Sequence, residues 1–192
     1  MRGFTMVELL AALAIASLMI VGVTAMINTS LDDAKGQQTA LYQSQLTQAS
    51  AQLIKQNMNA LLGTATTTVP VVVPLSGSTY QLSTYLPNGV QNRNAYGQTP
   101  CLLVYATGAG ALQGLLVTEG GTTIPDAPLG YIAANAGQGG GSIPKTNNAS
   151  AAAFGAFGSW SVATPNPAGK SCSGTKTGVG HLVSEVFPDN DL

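Results

Sequence analysis

Met1-Arg2-Gly3-Phe4-Thr5-Met6-Val7-Glu8-Leu9-Leu10, continuing as AALAIASLMIVGV to Val23, is the stretch that decides how the rest of the chain is read. From Phe4 to Ile27 run 24 residues, of which Glu8 alone is charged. As a helix rising about 1.5 Å per residue, that run matches a bilayer core of ~30 Å. An ionisable group inside such a span calls for a partner. A secretory signal peptide does not fit: the leader has one cation, Arg2, the apolar run is too long, and no small-residue cleavage site closes it. A plain membrane anchor fits the length and leaves Glu8 without a reason.

Helical signals continue past the apolar run. Tyr42, Leu46, Ala49 and Leu53, then Ile54, Met58 and Leu61, recur at spacings of three and four, while Gln37, Gln43, Gln45, Gln48, Gln52 and Gln56 fill the opposite face. The first 62 residues hold no Pro and only Gly3, Gly22 and Gly36. The pattern predicts one helix from about Thr5 to Leu62, roughly 87 Å long, with Gly63 as its C′ residue. A helix of that length cannot be packed wholly against one small domain, so lipid or further copies of the chain must cover its N-terminal half. Ala11, Ala12, Ala14, Ala16, Ser17 and Gly22 supply the small residues that close helix approach needs.

After Gly63 the period changes. The runs Val69 to Leu75, Thr79 to Leu82, Cys101 to Thr107, Leu112 to Thr118, Trp160 to Ala163 and His181 to Phe187 are short, apolar and bounded by Gly, Pro, Asn and Ser, as strands are. Pro70 and Pro74 demote the first to a sheet edge or an extended crossing. Glu119-Gly120-Gly121-Thr122 marks a tight turn into a strand near Ile124, Ile132 to Ala136 a short helix, and Gly137 to Gly141 a flexible loop. The fold class is α+β, a long helix with an antiparallel sheet covering Leu46 to Leu61. Cys101 and Cys172 both lie past the apolar segment, in a region delivered to an oxidising compartment, and one bridge between them is expected. Its loop of about 72 residues corresponds to ~4 kcal/mol in the chain-entropy treatment.

Several function classes find no support. Seven Lys and Arg are scattered singly through a chain of net charge −1, so no basic footprint for nucleic acid exists. His181 is the only His; a hydrolase would pair it with Ser159, Ser173 or Ser184 and an acid such as Asp126, yet no nucleophile elbow is present. Gly169-Lys170-Ser171 lacks the upstream glycine of a phosphate loop, and Gly108-Ala109-Gly110 lacks the third glycine of a dinucleotide turn. Two Cys and one His do not make a four-ligand zinc site. Asp189-Asn190-Asp191 beside Glu185 reads as a solvated tail rather than a Ca²⁺ loop. No cofactor and no catalytic residue are expected, and Trp160, Phe154, Phe157 and Tyr131 are expected in the core rather than in an adhesive patch.

The string Gly3-Phe4-Thr5-Met6-Val7-Glu8-Leu9-Leu10 resembles the class III signal of type IV pilins and pseudopilins. The resemblance implies cleavage by a prepilin peptidase after Gly3, N-methylation of Phe4, and an assembly role for Glu8, whose carboxylate would pair with the terminal ammonium of Phe4 on a neighbouring subunit. The three-residue leader is shorter than pilin leaders usually are, and the helix-breaking Pro of many pilins is absent. In pilins a disulfide delimits part of the globular head, and Cys101 and Cys172 are similar in placing. A second resemblance rests on Tyr85 to Gly89, Asn94 to Thr99, Gly114 to Gly121, Ile132 to Ala134, the Gly137 to Gly141 loop, Gly155 to Trp160 and Gly180 to Val183, which are similar in order to the N-terminal constant region of PilV-type shufflon minor pilins.

Together these imply residues 1–3 as leader, 4–28 as the hydrophobic half of the helix, 29–62 as its amphipathic half and 63–192 as a Gly-rich β head. They imply a pilus subunit held in the bacterial inner membrane with its head in the periplasm before joining a surface pilus. Its partners would be a prepilin peptidase and other pilin subunits, with a role in adhesion or conjugative mating contacts. A major type IVb pilin and a pseudopilin of a type II secretion system are the competing readings.

Overall fold

The computed structural model describes residues 5–108 and 110–188. It falls into two units, residues up to Lys35 and residues from Gly36 onward. Helix α1 spans Met6–Gln56 and helix α2 Met58–Leu62. The single helix expected from Thr5 to Leu62 is therefore interrupted at Asn57, whose backbone leaves helical geometry (φ −111°, ψ 19°). Its side-chain amide donates to Leu53 O at 2.9 Å and to the Tyr85 hydroxyl at 3.0 Å, a partner 28 residues away. Gly63 ends α2 at φ −71° and not in the left-handed conformation of a C′ glycine; its N–H reaches Asn59 O.

In the first unit the apolar side chains of α1, from Met6 to Leu31, are exposed. In the second, Tyr42, Leu46, Ala49, Leu53 and Ile54 form the stripe that spacings of four and three predict, and the sheet buries it. Each fully buried Leu or Ile contributes roughly 1.5–3 kcal/mol relative to exposure.

The sheet has strands β1 (Val71–Pro74), β2 (Thr99–Gly108), β3 (Ala111–Glu119), β4 (Gly140–Ile143), β5 (Ala153–Gly155), β6 (Ser161–Val162) and β7 (His181–Val186). Their spatial order is β1-β2-β3-β7-β4-β5-β6 and all pairings are antiparallel. β1, preceded by Pro70 and ending in Pro74, sits at one edge, where a missing backbone donor is tolerated. Strand alternation gives the sheet two buried faces. Leu102, Val104, Leu116 and Val186 face α1, while Cys101, Leu103, Leu115, Val117 and Val183 form a second core with Ile143, Ala153 and the half-buried Trp160.

Helix α3 (Asp126–Asn135) adds a third cluster in which Leu129, Ile132 and Ala133 meet Ala40 of α1 and Leu182 of β7. It starts six residues before the short helix expected at Ile132. No strand forms at Ile124: Gly120 and Gly121, both at positive φ, turn the chain away. Ile124 N–H then makes one bridge, to Gly180 O at 2.9 Å, before Pro125 removes the next donor and opens α3. Thr79 to Leu82 is likewise not a strand. That segment folds back on itself, Gly77 N–H donating to Gln81 Oε1 and Ser83 N–H to Leu75 O, so that Leu82 enters the core at the start of a 3₁₀ turn, Leu82–Tyr85.

Candidate assembly site

At the start of α1, Thr5 and Glu8 form a reciprocal cap. Glu8 Oε2 accepts from Thr5 N–H at 2.9 Å and from the Thr5 hydroxyl at 3.0 Å, and Glu8 N–H points back at Thr5 Oγ1 at 3.4 Å. This is the Thr-x-x-Glu capping box, which supplies orphan N–H groups of the first turn with acceptors and places a negative charge at the positive end of the helix dipole. The resemblance assigns Glu8 to assembly and is silent on Thr5, although the three-residue spacing between them carries the capping signal. Gly3 and Phe4 lie outside the described residues.

The apolar part of α1 also satisfies its own hydroxyls. Ser17 donates to Leu13 O at 2.7 Å, Thr24 to Ile20 O at 2.8 Å and Thr29 to Ala25 O at 3.1 Å. Each bond runs four residues back along the helix, so each of these hydroxyl donors has an acceptor within the helix itself. By length and composition this part of α1 is long and apolar enough to cross a membrane.

In the head, Cys101 and Cys172 form a disulfide with Cα atoms 5.6 Å apart. Glu119, buried at the end of β3, fastens the same loop: its Oε1 accepts from Cys172 N–H at 3.1 Å, and its Oε2 from Ser173 N–H at 3.0 Å and the Ser173 hydroxyl at 2.7 Å. His181 is a strand residue with both ring nitrogens against backbone carbonyls, Nε2 with Gly120 O at 2.9 Å and Nδ1 with Gly178 O at 3.1 Å. Ser184 lies on the other sheet face, accepting from Gln43 Nε2 at 3.0 Å, and Ser173 is held by Glu119, so neither is brought to the imidazole. Among the described residues no three His, Cys, Asp or Glu converge as metal ligands. The Asp189 to Asp191 tail lies outside the described residues.

The short words that carried the second resemblance turn out to be architectural. Gln98 is fully buried and its side chain makes four hydrogen bonds: it accepts from Thr118 Oγ1 (2.8 Å) and Asn94 Nδ2 (3.2 Å) and donates to Thr122 O (2.9 Å) and Gly180 O (3.0 Å). Thr118 passes the network to β7, its hydroxyl accepting from Leu182 N–H at 2.9 Å. A Cβ on Gly121 would stand 2.5 Å from Gly97 C, and one on Gly141 would stand 2.5 Å from Trp160 Cζ2. The glycine-rich stretch expected as a flexible loop is thus in part strand β4, glycine being required where backbone and ring come close.

Charge environments in the head follow burial and donors. Desolvation raises the Glu185 carboxyl, and Gln113 donates to it from the neighbouring strand. Burial pushes the Tyr42 hydroxyl up to about 12, while it donates to Gln91 O at 2.8 Å. Asp126 is held below the ordinary carboxylate range, first by the Lys145 N–H (2.8 Å) and then by the Thr146 hydroxyl and N–H, its own helix making no use of it as a cap. Of the aromatics expected in the core, only Trp160 is partly buried there; Tyr131, Phe154 and Phe157 are 52%, 40% and 97% exposed.

Comparison with known proteins agrees with these features. The family described as bacterial shufflon protein, N-terminal constant region, matches residues 29–192, and the prokaryotic N-terminal methylation motif matches residues 1–24. Shufflon proteins A′, C′ and B of Escherichia coli are each 31% identical over 191 residues, covering 98% of this chain and 42%, 41% and 40% of their own lengths. The chain thus spans about two fifths of the curated relatives it matches. No solved structure matches it. With the methylation motif heading α1 and the constant-region match running through the head, the chain belongs to the bacterial shufflon proteins by way of their N-terminal constant region.

Proposed function

We propose that this protein is a structural subunit of a type IV pilus, of the minor, PilV-like kind, acting in adhesive or mating contacts and performing no chemistry of its own. The observation that carries the reading is the methylation motif at the head of α1, whose apolar part is exposed and internally satisfied, in a chain whose remainder matches a shufflon constant region. A prepilin peptidase would cut after Gly3 and methylate Phe4. The apolar part of α1 would hold the subunit in the inner membrane, with residues 63–192 as a periplasmic head, until other pilin subunits draw it into the filament.

Within the filament core the Glu8 carboxylate would exchange its Thr5 cap for the Phe4 ammonium of a neighbour. Breaking such a buried pair costs about 3–5 kcal/mol. Glu8→Gln separates the two roles, since Gln keeps a capping box and loses the charge. Intact-mass analysis of membrane and sheared-filament fractions tests the whole reading in cells that also make a prepilin peptidase and the pilus machinery. The wild-type product should begin at methylated Phe4 and appear in sheared filaments, in low proportion for a minor subunit. Glu8→Gln should be cleaved and remain in the membrane. A product retaining Met1 in the membrane alone refutes the pilus role, and normal incorporation of Glu8→Gln refutes the pairing.

A further inference from the structure

Among the described residues Glu119 is the one buried carboxylate, and it forms no ion pair. A charge so placed is costly unless donors surround it. Three do: Cys172 N–H reaches Oε1 at 3.1 Å, while Ser173 N–H and the Ser173 hydroxyl reach Oε2 at 3.0 and 2.7 Å. An amide in this place would turn its NH₂ on a backbone N–H in either orientation. The site is therefore built for a group that only accepts, and the ionised carboxylate is that group.

Strand register shows what those bonds accomplish. Glu119 stands opposite Thr99, and Cys101 stands opposite Val117. Thr99 and Cys101 share a face by strand alternation, so Glu119 and Cys101 are diagonal neighbours on that face, about 7 Å apart. Cys172 comes from the segment between β6 and β7, residues 163–180, whose regular structure is the 3₁₀ turn Pro167–Gly169. Asn166, Gly169 and Lys170 bond within this loop, whereas the bonds to Glu119 tie it to the sheet. By seizing the N–H groups of 172 and 173, the carboxylate sets Cys172 one diagonal step away, where Cys101 stands. Without that anchor two thiols separated by 71 residues meet only as often as loop closure allows.

We propose that Glu119 is the positioning residue for formation of the Cys101–Cys172 bridge, docking residues 172 and 173 on the sheet in the dithiol before any bond joins the sulfurs. The role is independent of whether the chain enters a filament. The oxidant is an external disulfide such as oxidised glutathione. Cys172, the half-buried partner, attacks it as a thiolate, forming a mixed disulfide and expelling one thiolate. The fully buried Cys101 then attacks the Cys172 sulfur, which breaks the mixed disulfide and expels the second thiolate. The two protein thiols give up two electrons and two protons, and the external disulfide takes both up as two thiols. Glu119 takes part in neither transfer and acts through the loop backbone. With the dithiol loop docked about nine-tenths of the time, loss of the anchor cuts the effective concentration of the thiols about tenfold.

The test uses the full chain in detergent micelles. Dithiol and disulfide forms are equilibrated in glutathione buffers of set ratio, trapped by alkylation and counted by intact mass. Glu119→Gln should lower the effective concentration of the two thiols about tenfold, a rise in reduction potential of about 30 mV. Gly114→Ala strains the other sheet face, against Ile54 and Val186, in both redox forms alike. It should lower the melting temperature and leave the potential within about 10 mV of the wild type. In urea that unfolds both forms, wild type and Glu119→Gln should coincide, because no docked loop remains. A wild-type potential for folded Glu119→Gln refutes the proposal, and so does an equal shift for Gly114→Ala, which would make the effect one of general stability. Should the Glu119→Gln dithiol fail to fold, Ser173→Ala removes the hydroxyl donor alone and should shift the equilibrium about threefold. No shift in that variant refutes the proposal as well.

Discussion

Replacing Gln98 by Leu tests the buried polar network at the junction of β2, β3 and β7. Leu is close in volume, so the cavity contribution is small and the loss reports the stranded polar groups. Of the four partners, two keep company. Thr118 Oγ1 still accepts from Leu182 N–H and turns its proton to Leu182 O at 3.3 Å, and Gly180 O still accepts from Ile124 N–H. Thr122 O loses the donor, and Asn94 Nδ2 the acceptor, that Gln98 supplies. At about 1–3 kcal/mol for each stranded group, the sum is roughly 4 kcal/mol. In a domain of this size that lowers Tm by ~8–16 °C. Thermal and urea unfolding of the full chain in detergent micelles, followed by near-UV circular dichroism of Trp160, reads the change. A loss under about 1 kcal/mol with an unchanged m-value would show that water or rearrangement satisfies both groups, and that the network does not hold the junction.

Three further outcomes follow from other contacts. Gly114→Ala places a Cβ 2.8 Å from Ile54 Cδ1 and 3.0 Å from Val186 Cβ, and should destabilise the head by about 1–3 kcal/mol in urea unfolding because β3 and α1 cannot separate without opening the core. Replacing Cys101 and Cys172 by Ser removes a bridge across 71 residues and should lower stability by about 4 kcal/mol, with Glu119 still anchoring residues 172 and 173 in amide-exchange measurements. Asp126 has a folded pKa below its ordinary value of 3.8, so its contribution is present above that value and is lost as pH falls through the folded pKa. The wild type should melt higher than Asp126→Asn at pH 7, and the gap should close below pH 3.8; a gap constant across that window refutes the assignment.

What a reader of the chain alone recovers is whatever short-range spacing encodes. The apolar run with Glu8 near its head, the stripe from Tyr42 to Leu53 and the five runs that became β1, β2, β3, β6 and β7 depend on periods of 3.6 or 2 within one segment, and each is found where the spacing puts it. With two cysteines past the apolar run, their pairing is equally legible. Segments whose fate depends on distant residues read wrongly. Asn57 interrupts the helix with Tyr85 among its partners, Leu82 leaves the strand pattern to fill the core beneath β1, and Gly140 and Gly141 look like loop until Trp160 arrives against them. The exposure of Phe157 is likewise invisible in GAFGSW, where an aromatic between small residues reads as core. Local spacing therefore suffices for the helix, its acidic head group, the α+β class and the bridge, because each follows from residues near in the chain or from a choice of one. Which glycines are strand, which aromatic is left outside and which carboxylates fasten loops come from long-range packing, because those depend on how closely segments far apart in sequence approach one another.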